Sequence, residues 1–431
     1  MFKKLALTNV GPVDSLELDF ASRLNIFTGD NGLGKSFVLD VVWQSLTRKW
    51  PAEINPGLLT NLKALPRIVG KSASITFQAD GKTKNDHTYA SQFNPKTQSW
   101  SNPKGRPLNP GLVIYAMADG GFAVWDPMQN YWKTSKSADE PADAPPAYVF
   151  TPRQVWRGLE YDGKTYCKGL LIDWWGWQKE NGETFATLRE VLKELSSEDE
   201  TLEPGELRRM EITSDLEVPT LKTAYGEVFA PLASTAVRRV LSIAYILIWA
   251  WKGHREVCRL TGEKPTTQAT FLFDEIEAHL HPKWQRKIVA SLLKVLEKLA
   301  ESDAHIQFLA TTHSPLVLAS LESLFDEKRD AWFDVDLQRD AAGKGRVVFE
   351  KEIFEKMGNA SNWLQSRAFD LKYPASLEAE KIIEEALAVT DATPRSEVER
   401  VDRKLYQVLG AADAFLVRWR ILCDKKGWLK K

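Results

Sequence analysis

Eight residues near the start of the chain, Gly29-Asp30-Asn31-Gly32-Leu33-Gly34-Lys35-Ser36, have the spacing G-x-x-x-x-G-K-[ST]. Glycines let a backbone turn tightly enough for several N–H groups to face one phosphate chain. A helix that begins there adds the positive end of its dipole. Gly29, Asn31, Gly32 and Gly34 would form the cradle, Lys35 would reach the β- and γ-phosphates of a nucleotide, and the Ser36 hydroxyl would ligate Mg²⁺. The bland alternative is a glycine-rich turn that happens to end in Lys-Ser. The flanks argue against it: residues 24–28 read as a short buried strand and residues 37–46 as an apolar helix.

Three further stretches carry groups suited to phosphate chemistry. Phe271-Leu272-Phe273 is an apolar run ending in Asp274-Glu275, the Walker B form. Asp274 is expected at the Mg²⁺. Glu275 is expected to polarise an attacking water as general base, a role worth about 10²–10⁴ in rate. Glu277-Ala278-His279-Leu280-His281-Pro282 follows. Its two histidines lack the neighbours a tetrahedral metal site needs, so a turn between strand and helix is the better reading. Thr311-Thr312-His313-Ser314-Pro315 ends another apolar run, where His313 could hydrogen-bond a γ-phosphate. Between the halves, Ser234 and Thr235 precede a strongly apolar helix over residues 238–251; such a loop either binds an anion or simply caps its helix.

The elements that must position these residues imply an α/β chain. Residues 3–20 alternate apolar and polar about Gly11-Pro12, as in an antiparallel hairpin. Residues 1–50 would form the first half of a nucleotide-binding head. Short β-like runs over 51–146 suggest an inserted β-rich lobe, with an Ala/Asp/Pro-rich loop at 136–146. Residues 147–229 suggest a helical, Trp-rich lobe, and 230–350 the second half of the head, with an amphipathic helix over 282–299 and a hairpin around 341–345. Residues 351–431 read as a helical extension. Its Ser396-Glu397-Val398-Glu399 looks like a capping box, and a stripe runs from Val398 to Trp419.

Composition narrows the function. The 431 residues carry 57 basic and 58 acidic side chains, so no global basic signature marks a nucleic-acid binder; a local basic track is neither shown nor excluded. The basic tail Lys425, Lys426, Lys430, Lys431 is read as solvated. Three unpaired cysteines suit a reducing, cytoplasmic setting. The longest apolar run, residues 240–251, is too short to span a bilayer.

The order of motifs (P-loop, signature loop before an apolar helix, Walker B, E-A-H-L-H-P, T-T-H-S-P) resembles the ABC-type ATPases of the SMC/RecF/OLD group. It is similar above all to the stand-alone PtuA-type ATPases of Septu and retron anti-phage systems. The resemblance covers about residues 1–46 and 230–320. It implies an ABC-type P-loop head that uses ATP and Mg²⁺ and pairs with a second head, so that Ser234 meets the γ-phosphate held by the other copy. It further implies His313 as switch histidine, residues 277–282 as a dimer-contacting loop, and a Q-loop glutamine, with Gln154 the candidate and Gln178 the fallback. A separate effector, an HNH-type nuclease, follows by analogy, since the chain shows no nuclease motif of its own. Two departures stand out: Thr235 and Ala236 replace the glycines that usually follow the signature serine, and no coiled-coil arm is present. Rival readings are a RecF-like DNA-repair ATPase and a nucleotide-binding scaffold that barely hydrolyses.

Overall fold

The computed structural model describes every residue except 82–86, 104–107, 132–144, 198–199, 301–302, 340–342, 344 and 430–431. The chain forms two compact units, Met1–Ala360 and Ser361–Lys431.

The first unit opens with the expected hairpin, β1 (Phe2–Val10) and β2 (Val13–Asp19), followed by β3 (Leu24–Gly29), α1 (Lys35–Thr47) and α2 (Pro51–Ile54). Next come β4 (Ser74–Ala79), β5 (Thr88–Asn94), β6 (Ser99–Trp100), β7 (Leu112–Ala116), β8 (Phe122–Trp125) and β9 (Tyr148–Phe150). They do not build a lobe of their own. β4 to β6 extend the hairpin into a five-stranded sheet of order β2-β1-β4-β5-β6, whereas β7 to β9 join an eight-stranded sheet. The reason is pairing: β7 is apolar on both faces, as a strand covered on both sides must be, and its one-residue register with the Walker B strand runs from Leu112 to Ala116.

The region expected to be a helical lobe is mixed. It contains α3 (Pro152–Arg157), the hairpin β10 (Leu159–Tyr161) and β11 (Lys164–Cys167), then α4 (Leu170–Glu180) and α5 (Glu183–Leu195). A three-stranded sheet follows, made of β12 (Glu203–Arg209), β13 (Glu217–Thr223) and β14 (Gly226–Phe229). The long α6 (Thr235–Thr261) leads to β15 (Gln268–Phe273). The amphipathic segment after it divides into α7 (Pro282–Gln285) and α8 (Ile288–Leu299), because Lys287 leaves the helical region at φ −133°. β16 (His305–Thr311), α9 (Pro315–Leu321), β17 (Asp330–Arg339) and β18 (Gly345–Glu352) complete the unit. The β17–β18 pair is the expected hairpin, though 340–342 and 344 lie outside the described residues, as does most of the 136–146 loop.

The large sheet has the order β18-β17-β3-β16-β15-β7-β8-β9. Its five central strands, β17 to β7, are parallel, so the carboxyl ends of β3, β16, β15 and β7 share one edge. In such sheets ligands bind outside those ends. The α1 helix is buried nearly all round, through Val38, Leu39, Val41, Val42, Trp43 and Leu46, in one core with residues of both sheets.

In the second unit α10 (Ala360–Leu364) precedes α11 (Leu377–Leu387), α12 (Arg395–Val408) and α13 (Ala414–Lys426), with Ile382, Ile383, Val401, Leu405, Leu416 and Trp419 in its core. The expected capping box is not formed: Pro394 is the N-cap of α12 and Ser396 lies inside its first turn. The apolar stripe belongs to two helices, because Asp413 caps α13 afresh through Phe415 and Leu416.

Candidate functional site

The P-loop's shape follows from its glycines. Gly29 has φ +121°, and a Cβ there would sit 2.0 Å from the Val335 carbonyl oxygen of the neighbouring strand. At Gly34, φ is +101° and a Cβ would meet Pro12 at 2.7 Å. Gly34 also caps α1 without any side-chain acceptor, which leaves the first N–H groups of a 13-residue helix directed at the loop. Lys35 is 5 % exposed, and its ammonium donates to the carbonyls of Gly29 and Asp30, each at 2.7 Å. Burial pulls its pKa down to about 8, against the opposing pull of Asp274 and Asp30.

β15 delivers Asp274 to the same point. Its Oδ1 accepts hydrogen bonds from the Ser36 hydroxyl at 2.9 Å and the Thr311 hydroxyl at 2.7 Å. Burial raises the Asp274 pKa. A hydroxyl and a buried carboxylate side by side suit a small oxygen-seeking dication that takes few protein ligands and completes its shell with phosphate and water. Among the described residues no group of three or more His, Cys, Asp or Glu could form an all-protein metal cage. The donor set therefore fits Mg²⁺ held by Ser36 and Asp274.

Glu275 stands next to this pair in a left-handed conformation, φ +47°, that a non-glycine residue adopts at a cost of about 1–3 kcal/mol. Thr311 over-determines it: the threonine hydroxyl accepts the Glu275 N–H at 2.7 Å while donating to Asp274, and its carbonyl accepts from Ile276. Sequence reasoning gave Thr311 no role, although the Thr-Thr pair before His313 was the available signal. Thr311→Val keeps the shape and removes both hydroxyl bonds. At about 1.5–3 kcal/mol for a bond to a charged group, we expect turnover to fall roughly ten- to a hundredfold, measured as phosphate release, with the thermal midpoint lowered by only a few degrees.

Glu277 has partners within the chain. Its carboxylate accepts from the Thr312 hydroxyl at 2.7 Å and the His313 N–H at 2.5 Å, tying the turn after β15 to the turn after β16. His313 is half-buried; burial, then Lys35, lowers its pKa, so it is neutral at pH 7. His281 accepts the Lys283 N–H, as a helix cap does. Beneath the loop, Asp40 of α1 accepts from Asn61 at 2.7 Å and the Tyr115 hydroxyl at 3.0 Å, and burial pushes it up to about 7. None of these three was singled out by sequence.

The structure does not bring the glutamine candidates here. Gln154 follows β9, five strand positions from β3, which at about 4.8 Å per strand is roughly 24 Å. Its amide oxygen caps α3 by accepting from the Thr151 N–H and Asn55. Gln178 is bonded to Trp174 and Gly205. Of the two strands beside Walker B, β16 leads into Thr312 and β7 into Met117, neither of them a glutamine. Ser234 is exposed and caps α6, accepting from the Val237 N–H at 3.3 Å; within one chain it does not join the P-loop cluster.

The chain is related in sequence to nucleotide-using proteins. A family model described as "AAA domain, putative AbiEii toxin, Type IV TA system" matches residues 223–319. The Retron Ec83 probable ATPase of Escherichia coli is 28% identical over 160 residues, covering 36% of this chain and 26% of its own length, about a quarter of that protein. Septu protein PtuA of Bacillus thuringiensis is 20% identical over 323 residues, 73% of this chain and 72% of its own. Among solved structures, an Smc head bound to the C-winged helix domain of ScpA aligns with a TM-score of 0.43 and 15% identity, covering 81% of this chain and 98% of that one. Among the described residues no helix is long and apolar enough to cross a membrane.

Proposed function

We propose that this chain is an Mg²⁺-dependent ATPase head that closes against a second head on ATP and gates an effector in anti-phage defence. The observation that carries the reading is the convergence of Lys35, Ser36, Asp274, Glu275 and His313 at the carboxyl edge of three adjacent parallel strands, β3, β16 and β15. The N–H groups of the P-loop and the start of α1 would hold the phosphates, with Lys35 swinging from its two loop carbonyls to the β- and γ-oxygens. Ser36 and Asp274 would hold Mg²⁺, which would supply charge neutralisation for the phosphates. Glu275 takes a proton from the attacking water. Neutral His313 hydrogen-bonds the γ-phosphate or that water, held in place by Glu277.

The second head is proposed to bring Ser234 to the γ-phosphate across the interface. With Thr235 and Ala236 in place of glycines, fewer backbone N–H groups can approach closely, so turnover is expected to be slow. The defence role, with a separate HNH-type nuclease as effector, is supported by the sequence similarity to PtuA and the retron ATPase, and rests on that analogy.

Phosphate release by the purified chain, with and without Mg²⁺, tests the reading; no release above the Lys35→Ala background would sink it. A pH series adds a sharper check. Only protonated Lys35 attracts phosphate, and bound phosphate raises its pKa, so nucleotide affinity should be flat below about pH 8 and fall above it by up to tenfold per unit. Titration with a fluorescent ATP analogue on either side of pH 8 reads this directly; an affinity that holds constant well above pH 8 would contradict it.

A further inference from the structure

Between α3 and the start of α6 lies a groove of about 390 Å³ whose lining includes Arg153, Trp156, Arg157, Arg238 and Arg239. Asp119 also lines it, its carboxylate accepting from the Thr60 hydroxyl at 3.1 Å and the Gly121 N–H at 2.8 Å; among the described residues no carboxylate is ion-paired with any of the four arginines. Arg153, Arg157 and Arg238 are exposed. Arg239 is not: it is 8 % exposed and lies over the Phe122 ring at 5.4 Å. One of its nitrogens, Nη2, donates to the Met117 carbonyl at 2.7 Å, and the other, Nη1, has no hydrogen-bond partner. Burial draws its pKa down only to about 10, so the group stays charged. A buried cation with an unused donor and three further cations without a carboxylate partner, set against the one carboxylate of Asp119 in the lining, leave the groove with a surplus of positive charge that an anion would balance.

The kind of anion follows from the layout. Arg153 and Arg157 are spaced i, i+4 on one helix face, about 5–6 Å between Cβ atoms. Arg238 faces them from a different helix, and Trp156 adds an aromatic ring among the charges. Guanidinium forks match phosphate oxygens. Cations spread along a groove with an interleaved aromatic suit a strand of phosphates with stackable bases better than one compact ion.

We propose that in the nucleotide-free head, before a second head covers the start of α6, this groove binds the phosphates of a single-stranded nucleic acid and signals its occupancy to the Walker B strand. The route is short: Arg239 holds the Met117 carbonyl, and the carbonyl of the adjacent Ala116 accepts the Asp274 N–H at 2.9 Å. The signalling half rests on the ATPase reading above; the binding half does not.

Anisotropy of a fluorescein-labelled oligothymidylate, titrated with the full chain in the absence of nucleotide, tests the binding half. Three to four phosphate contacts at about 0.7 each predict a slope of log K against log salt of about −2 to −3. Arg153→Ala and Arg238→Ala, both at exposed positions, should each reduce the slope by about 0.7. Absence of binding at low salt overturns the proposal, and so does a slope that neither variant changes. If these variants leave oligothymidylate binding intact but abolish ATP-driven association, the groove serves a second copy and the proposal falls. For the signalling half, oligothymidylate should change ATP turnover of the wild type several-fold. Arg239→Lys, which keeps the charge but loses the fork, should bind the strand and lose that response; an unchanged response overturns the coupling. A chain with no turnover at all would defeat the ATPase reading while the anisotropy still reports on the groove.

Discussion

Glu275→Gln is expected to lower ATP turnover by about 10²–10⁴ while leaving ATP bound. The amide keeps the size and the hydrogen-bonding reach of the carboxylate but cannot accept a proton from water. The left-handed backbone at Glu275 is held by its N–H bond to the Thr311 hydroxyl, which the substitution does not touch. Ser36, Asp274 and Lys35 also keep their partners, so nucleotide affinity should change by less than a few-fold. Phosphate release and fluorescent-nucleotide binding, measured side by side, separate the two effects. Equal turnover in both proteins would remove Glu275 from the chemistry. Loss of binding together with turnover would make it a structural residue of the site.

Gly29→Ala should be the most damaging single methyl group in the P-loop. The added Cβ would fall 2.0 Å from the Val335 oxygen, a backbone atom locked in the β17–β3 ladder, at a φ of +121°. Overpacking costs about 1–3 kcal/mol and the disfavoured backbone adds about 1–2, so a loss of roughly 2–5 kcal/mol is expected. Gly32→Ala is the control. It shares a positive φ, +77°, but nothing lies within 4 Å of its Cβ, so only the backbone penalty of about 1–2 kcal/mol applies. Denaturant midpoints of the two variants test the difference. Similar losses at both positions would mean that the sheet, rather than the loop, yields to the methyl group.

What was readable from sequence was what the chain keeps local. The P-loop, Asp274-Glu275 and His313 each lie at the end of an apolar run, and an apolar run bounded by turn residues reveals a buried strand without knowledge of its neighbours. The hairpin of β1 and β2 was legible for the same reason. Strand order was not. β7 and β8 look like any short β-run, and only their pairing with β15 shows that they belong to the central sheet. That same ignorance of order misplaced the glutamine: Gln154 does follow a sheet strand, but the outermost one.

Roles that depend on cross-loop hydrogen bonds were also hidden. Thr311 clamps Walker B across 36 positions of sequence, and Glu277 braces His313 across a comparable span. Neither bond leaves a periodic or compositional trace. Ser396 failed as a cap because Pro394, two residues earlier, starts the helix first. The groove of arginines was invisible because Arg153 and Arg157 are far in sequence from Arg238 and Arg239, and the chain's balanced net charge masks a local surplus.

The central claim is that ATP closes one head on another. Light scattering on the Glu275→Gln chain, with and without ATP and Mg²⁺, measures it most directly. The account predicts a monomer mass without nucleotide that doubles when ATP and Mg²⁺ are present, and that stays single when Ser234 is also replaced by Arg. A chain that binds ATP with Mg²⁺ and keeps one unchanged mass would contradict it.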